Sequence, residues 1–343
     1  MLSSGDSDTV TSVKLQTMLE ALGLPGTDPI ARRLADAQPE GPPDWMHLAA
    51  AVARSLMPPA AAAAPGAAGA PWRCWGEDPL PLVFGVAGGQ GSGKSTFSRQ
   101  LVAALTASGA RAVSCSLDDF YLSKARRLDL ARRVHPLLAT RGVPGTHDVD
   151  ALSGVIAGLG TPGVVSLPGF DKGADDPVPA DRRRFVEAPV DMLVLEGWCV
   201  GARPQADADL AEPVNALERA EDPDGRWRRY VNAALAGDYA AVWARLDALM
   251  FIEVPGLDAV RRWRTQQEQA LPAGQRMDGA AIERFVAHYE RLTRAMRADL
   301  PARASLHVRL DDDHRIAALR AGPRRTAPDR RPGPHGYSES IQR

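Results

Sequence analysis

Apolar positions along the chain recur with two periods, and the change from one to the other divides it. Val10, Val13, Leu15, Met18, Leu19 and Leu22 fall at near-helical spacing until Gly23 and Pro25 stop the run. Asp44 stands where it could cap a second helix carrying Trp45, Leu48, Val52 and Leu56. Residues 58–71 are almost wholly Ala, Pro and Gly, with nothing to pack, and read as a linker. Residues 1–57 are therefore expected to form a helical N-terminal extension. The main domain should span 72–320, anchored at its start by Trp72 and Trp75. A Pro-, Arg- and Gly-rich tail over 321–343 reads as a disordered basic segment.

Within the main domain short apolar runs predict strands: Pro81–Ala87, Ala110–Leu117, Val164–Leu167, Met192–Leu195, Met250–Val254 and Leu306–Leu310. Helical stretches such as Thr96–Ser108 and Gly279–Asp299 separate them. This alternation predicts an α/β fold: a parallel sheet with helices on both faces and the functional site at the carboxyl ends of the strands.

The first of those strands leads directly into Gly88-Gly89-Gln90-Gly91-Ser92-Gly93-Lys94-Ser95-Thr96, which matches G-x-x-x-x-G-K-[ST], the P-loop. Its glycines let the backbone curl so that successive N–H groups face phosphate oxygens. Lys94 supplies a mobile cation for the outer phosphates, the Ser95 hydroxyl can hold Mg²⁺, and the helix that follows adds its positive dipole end. Strand, loop and helix occur in the required order, so the chain is expected to bind a nucleoside triphosphate within a P-loop NTPase fold.

Bulk composition adds exclusions. The 343 residues carry a formal net charge of −1, giving no field suited to nucleic acid. A nucleic-acid patch in the basic tail is outweighed by a solvated tail. Cys74, Cys115 and Cys199 form no CxxC pair, which speaks against a disulfide framework or a zinc site. Neither a secretory signal nor a bilayer-spanning apolar run is present, so a soluble cytoplasmic protein without a membrane partner is expected. The oligomeric state is not encoded in any motif.

Further chemistry sits at other strand ends. Met192-Leu-Val-Leu-Glu196-Gly197 is an apolar strand closing on a carboxylate, the Walker B arrangement, and Glu196 is a candidate for the metal's water shell. Ser116-Leu-Asp118-Asp119-Phe120-Tyr121 places two carboxylates one strand from the P-loop. Asp118 is the candidate general base for an alcohol and a possible metal contact, with Asp119 as the lesser candidate or a helix cap. Arg141-Gly-Val-Pro-Gly-Thr-His147-Asp148 can present Arg141, Thr146 and His147 to a small polyol or carboxylate, while Asp148 stands where it would cap a helix over Val149–Leu159; a cap and a ligand contact use different atoms, so both can hold. Lys172, in Phe170-Asp171-Lys172, could pair with a substrate carboxylate, and Arg182, Arg183 and Arg184 read as a solvated face. Arg261 and Arg264 share a helix face and could close as a lid over the phosphates; the alternative is a surface helix in which Arg264 pairs with Glu268.

Taken together, GGQGSGKST, SLDDFYL, VHPLLATRGVPGTHD, LPGFDKGADD, VLEGWCVGARPQ, PVNALE, YVN and RFVAHYERLTR resemble the D-glycerate 3-kinases of the plant and bacterial P-loop type. That family belongs with the phosphoribulokinase, uridine kinase and pantothenate kinase group, and the resemblance covers roughly Phe84 to Leu310. It implies a nucleotide-kinase sheet, MgATP as donor and D-glycerate as acceptor, giving 3-phosphoglycerate. It maps the base to Asp118, puts Asp148 beside substrate and the lid arginines at Arg261 and Arg264; Asp119 and Tyr121, next to the base, are further substrate candidates. The alternatives at this point are a sibling kinase for a nucleoside, pantothenate or sugar phosphate, and a nucleotide-gated regulator with slow ATP hydrolysis.

Overall fold

The computed structural model describes Leu15 and residues 17–22, 43–56, 81–269 and 276–322. The proposed linker at 58–71, the anchors Trp72 and Trp75, and the tail beyond residue 322 lie outside the described residues.

Helix α1 (Pro43–Leu56) precedes β1 (Leu82–Gly88), α2 (Lys94–Ala107), β2 (Ala112–Ser116), α3 (Lys124–Arg133) and α4 (Val149–Gly158). Next come β3 (Gly163–Leu167), β4 (Phe170–Asp171), β5 (Asp176–Pro177), β6 (Arg184–Ala188) and β7 (Met192–Gly197). The chain continues through α5 (Ala216–Glu221), α6 (Arg226–Ala236), α7 (Asp238–Trp243), β8 (Ala248–Glu253), α8 (Leu257–Gln269), α9 (Gly279–Arg303), β9 (Leu306–Leu310) and β10 (Ile316–Ala321).

Six strands form the central sheet in the order β10-β9-β8-β1-β7-β2. All neighbouring pairs are parallel except β9 and β10. Side chains alternate between two cores, as a sheet covered on both faces requires. Leu82, Phe84, Val86, Met192, Val194, Met250 and Ile252 enter one core with α1, α2 and α8. Val83, Ala87, Leu193, Leu195, Leu249 and Phe251 enter the other with α4, α7 and α9. Each fully buried aliphatic or aromatic side chain of this kind is worth about 1.5–3 kcal/mol, which fixes the register of the strands whose ends carry the chemistry.

The predicted α/β fold is the one observed, with three local corrections. Val164–Leu167 was expected in the parallel sheet, but β3 pairs antiparallel with β6 in a separate ribbon, and Val164 is 68 % exposed. Its apolar run is short and flanked by Gly163 and Pro168, and the alternating Arg184–Ala188 segment supplies a nearer partner. Helix α1 begins at Pro43, so Asp44 lies in its first turn instead of capping it. Strand β10 follows a polar turn that gives little apolar signal and was not anticipated.

Helix α1 is packed into the first core, not set apart. The Trp45 ring lies edge-on to Phe97 at 5.7 Å, and a Cβ placed on Gly93 would meet its indole nitrogen at 3.3 Å. Among the described residues no helix is long and apolar enough to cross a membrane.

Candidate active site

Three adjacent strands, β1, β7 and β2, end side by side and deliver the P-loop, Glu196 and the Ser116–Tyr121 segment to one place. Glu196 is in register with Val86 on one side and Ser116 on the other. The P-loop conformation needs glycine. Gly91 and Gly93 have φ of 77° and 85°, and a Cβ on Gly88 would lie 2.8 Å from the Ile252 carbonyl oxygen. Lys94 donates to the Gly89 carbonyl at 2.9 Å, folding back over the loop. Burial pulls its ammonium below the ordinary lysine value, opposed by the charges of Glu196 and Asp118.

The Ser95 hydroxyl donates to Glu196 Oε1 at 2.8 Å, so two of the three predicted metal contacts, all but Asp118, meet directly. A cavity of about 250 Å³ opens beside them, lined in part by Ser98, Arg99 and Asp119. A hydroxyl and a carboxylate are the hard oxygen donors that Mg²⁺ takes. Among the described residues no cluster of three or more His, Cys, Asp or Glu could hold a metal alone.

After β2 the chain turns through one 3₁₀ turn, Leu117–Phe120. Ser116 and Asp119 cap it reciprocally: Asp118 N–H donates to Ser116 Oγ at 3.3 Å, and Ser116 N–H donates to Asp119 Oδ2 at 3.2 Å. Asp119 thus holds the turn, and burial raises its pKa above the ordinary aspartate value. Asp118 points elsewhere. Its Oδ1 accepts from the Tyr121 hydroxyl at 2.9 Å and its Oδ2 accepts from Lys172 Nζ at 2.7 Å. Burial would raise this carboxyl, but the charge and hydrogen bond of Lys172 and the Tyr121 hydroxyl outweigh it and hold Asp118 below the usual range. It is a carboxylate ionised at neutral pH and held by one displaceable cation.

Lys172 sits at the tip of the β4–β5 turn, with its side chain 63 % exposed. The base of that turn is fixed. Arg127, only 1 % exposed, donates to the carbonyls of Leu122, Ala139 and Asp175 and pairs with Asp175 Oδ1 at 2.8 Å. Arg141 pairs with the same carboxylate, and both guanidiniums lie over the Phe170 ring, at 5.9 and 5.5 Å. Arg141 is therefore engaged, half-buried, beside the site.

His147 is 5 % exposed and stacks on Tyr121 at 4.6 Å, across an isolated backbone bridge between the two residues. Its Nδ1 meets the Tyr239 hydroxyl at 2.5 Å, and its buried Nε2 has no partner among the described residues. Burial pulls its pKa down to about 4, with the charge of Asp118 opposing. The loop before it is braced by Trp198, whose indole N–H donates to the Gly142 carbonyl at 2.8 Å, and by the Tyr289 hydroxyl, which donates to the Arg141 carbonyl at 3.3 Å.

Asp148 caps α4 through Oδ1, accepting from Ala151 N–H at 3.1 Å, while Arg126 takes Oδ2 at 2.5 Å. The expected cap is in place, and it uses one of the two carboxylate oxygens. Helix α8 packs its Trp263–Gln267 face against the P-loop, where a Cβ on Gly91 would sit 3.4 Å from Trp263 Cβ. Arg261 pairs with Asp258 and Glu283. Arg264 pairs with Glu268 at 2.5 Å and lies 4.9 Å over the Phe285 ring. Both arginines are engaged along the helix surface, in the arrangement weighed against a lid. Tyr239, Arg127 and Trp198 were not predicted. Tyr239 lies 92 residues from His147, and no local pattern links them.

No protein-family model matches the chain. It is 34 % identical over 226 residues to the uncharacterized kinase mug58 of Schizosaccharomyces pombe, covering 61 % of this chain and 78 % of that protein. The chain belongs to this family of P-loop kinases. It is also 31 % identical over 232 residues to the chloroplastic D-glycerate 3-kinase of Arabidopsis thaliana, spanning 62 % of this chain and 47 % of that one. A solved structure titled D-glycerate 3-kinase, from Cryptococcus neoformans var. grubii, matches with a TM-score of 0.61 at 22 % identity, over 86 % of this chain and all of that one, and shares the fold. The chain is accordingly an ATP-dependent kinase of the α/β class.

Proposed function

We propose that this kinase transfers the γ-phosphoryl group of MgATP to D-glycerate, giving 3-phosphoglycerate and ADP. The observation that carries the reading is the pairing of Lys172 with Asp118. A base whose stabilising cation sits on an exposed turn suits an acceptor that brings its own carboxylate. Such an acceptor can draw Lys172 to itself and release Asp118. The 31 % identity to a protein named D-glycerate 3-kinase supports the same acceptor.

Lys94, Ser95 and Glu196 would hold MgATP, whose metal neutralises charge on the phosphates. The P-loop amides and Lys94 fix the γ-phosphorus while the β4–β5 turn and the His147 loop hold the acid. Positioning two reactants this way converts an encounter into an effectively unimolecular step. The acceptor's primary hydroxyl oxygen bonds to phosphorus as its proton passes to Asp118, and the bond to the ADP oxygen breaks. Without Lys172, burial makes Asp118 a better proton acceptor than in the resting site. Arg261 and Arg264 would close over the phosphates only by leaving Asp258, Glu283 and Glu268.

An acceptor panel tests this reading. Purified protein with MgATP should release ADP with D-glycerate and not with glycerol, uridine or pantothenate. Preference for uridine or pantothenate would assign a sibling substrate, and ADP release independent of any acceptor would assign a nucleotide-gated regulator.

A further inference from the structure

Tyr239 comes from α7, within the second core, and its ring and hydroxyl both reach the acceptor loop. The residue is 2 % exposed, and its ring packs edge-on against His147 at 5.8 Å and Trp243 at 5.8 Å. Its oxygen has three polar neighbours among the described residues: Gly145 N at 3.0 Å, the His147 backbone N–H, and His147 Nδ1 at 2.5 Å. Gly145 N–H can only donate, so it uses one lone pair of the hydroxyl. The phenol proton then has Nδ1 as its acceptor. If Nδ1 carried the proton instead, three N–H groups would converge on one oxygen and the phenol proton would be left buried without a partner, an arrangement that native interiors avoid.

The other ring nitrogen follows from this. With Nδ1 accepting, His147 carries its proton on Nε2, and that atom is buried and unpartnered among the described residues. The ring is stacked on Tyr121, whose own hydroxyl is committed to Asp118. A buried N–H donor without an acceptor, next to an ionised carboxylate, is a costly feature unless a ligand completes it.

We propose that Tyr239 is a positioning residue: its hydroxyl fixes His147 as the Nε2–H tautomer and so supplies a hydrogen-bond donor for an oxygen of the acidic acceptor. The acceptor clause rests on the function proposed above, whereas the tautomer clause stands on the protein alone. The same hydroxyl ties Gly145 to His147, so it also sets the loop angle at which that donor is presented.

Nitrogen-15 NMR of the full chain tests the tautomer directly. His147 is assigned among the 7 histidines as the signal lost in His147→Gln. At neutral pH the ring should show a protonated Nε2 and an unprotonated Nδ1, and a protonated Nδ1 in the wild-type protein would overturn the proposal without any variant. In Tyr239→Phe the tautomer preference should be lost. The glycerate KM should rise about tenfold, the worth of a hydrogen bond to a charged group, with kcat and the ATP KM little changed. In a His147→Ala background, Tyr239→Phe should add nothing further to KM, whereas independent, additive effects would mean a merely structural role and would also overturn it. Wild-type protein that shows the expected tautomer but ignores D-glycerate would sink the substrate reading and leave the tautomer assignment intact.

Discussion

Replacing Asp118 with Asn isolates the proton acceptor with little else disturbed. The amide oxygen can still accept from Tyr121, so the 3₁₀ turn and its Ser116–Asp119 caps are retained. What is lost is the negative charge beside Lys172. Because that lysine side chain is 63 % exposed, the pair contributes at most about 1 kcal/mol to stability. The melting temperature should then drop by no more than about 4 °C for a chain of this size. The effect on catalysis is much larger. A positioned base contributes about 10²–10⁴-fold, or about 3–5 kcal/mol of barrier, and kcat should fall by that factor. A coupled ADP-release assay over a range of ATP and D-glycerate concentrations separates the parameters, and the ATP KM should not move. An Asp118→Asn enzyme that is folded, binds ATP normally and turns over within about tenfold of the parent would refute a base at this position.

Other substitutions probe separate parts of the site. Lys94→Ala should abolish turnover while leaving the melting temperature close to that of the parent, since the ammonium makes a single hydrogen bond among the described residues, to the Gly89 carbonyl, and its burial costs part of what its neighbouring carboxylates return; normal turnover in that variant would rule out the P-loop mechanism. His147 should link stability to pH. Its folded pKa, about 4, lies below the ordinary value of about 6.5, so the unfolded chain binds the extra proton between them and stability rises with pH across that window. The full effect is about 3 kcal/mol; urea unfolding at the two ends should show a shallower pH slope in His147→Gln, and an identical slope contradicts the assignment. Gly142→Ala drives a Cβ into the Tyr289 hydroxyl at a φ of 137°, a strain of about 1–3 kcal/mol. The loop must shift, so the D-glycerate KM should rise with the ATP KM unchanged; equal changes in both would separate this loop from the acceptor.

The legible parts of the site were those carried by contiguous residues. The P-loop, Glu196 and Asp118 each sit at the end of an apolar strand, and a strand's chemistry is written beside its hydrophobic pattern. Their union also follows from topology, because β1, β7 and β2 are neighbours in the sheet. Long-range contacts were not legible. Arg127 reads as one more cation on a polar helix, yet it is buried and organises the β4–β5 turn through Asp175. The Val164–Leu167 run has strand character but too few residues to indicate which partner it takes. Asp119 and Asp148 each had a capping reading and a ligand reading, and in each case the local backbone N–H groups take the carboxylate. Nearby donors are always present, whereas a ligand is not.

The central claim is tested most directly by identifying the product. Protein incubated with MgATP and carbon-13-labelled D-glycerate, followed by carbon and phosphorus NMR, should yield 3-phosphoglycerate and ADP in equal amounts, with phosphorus coupled to the terminal carbon. ADP accompanied by inorganic phosphate and unchanged glycerate would contradict it.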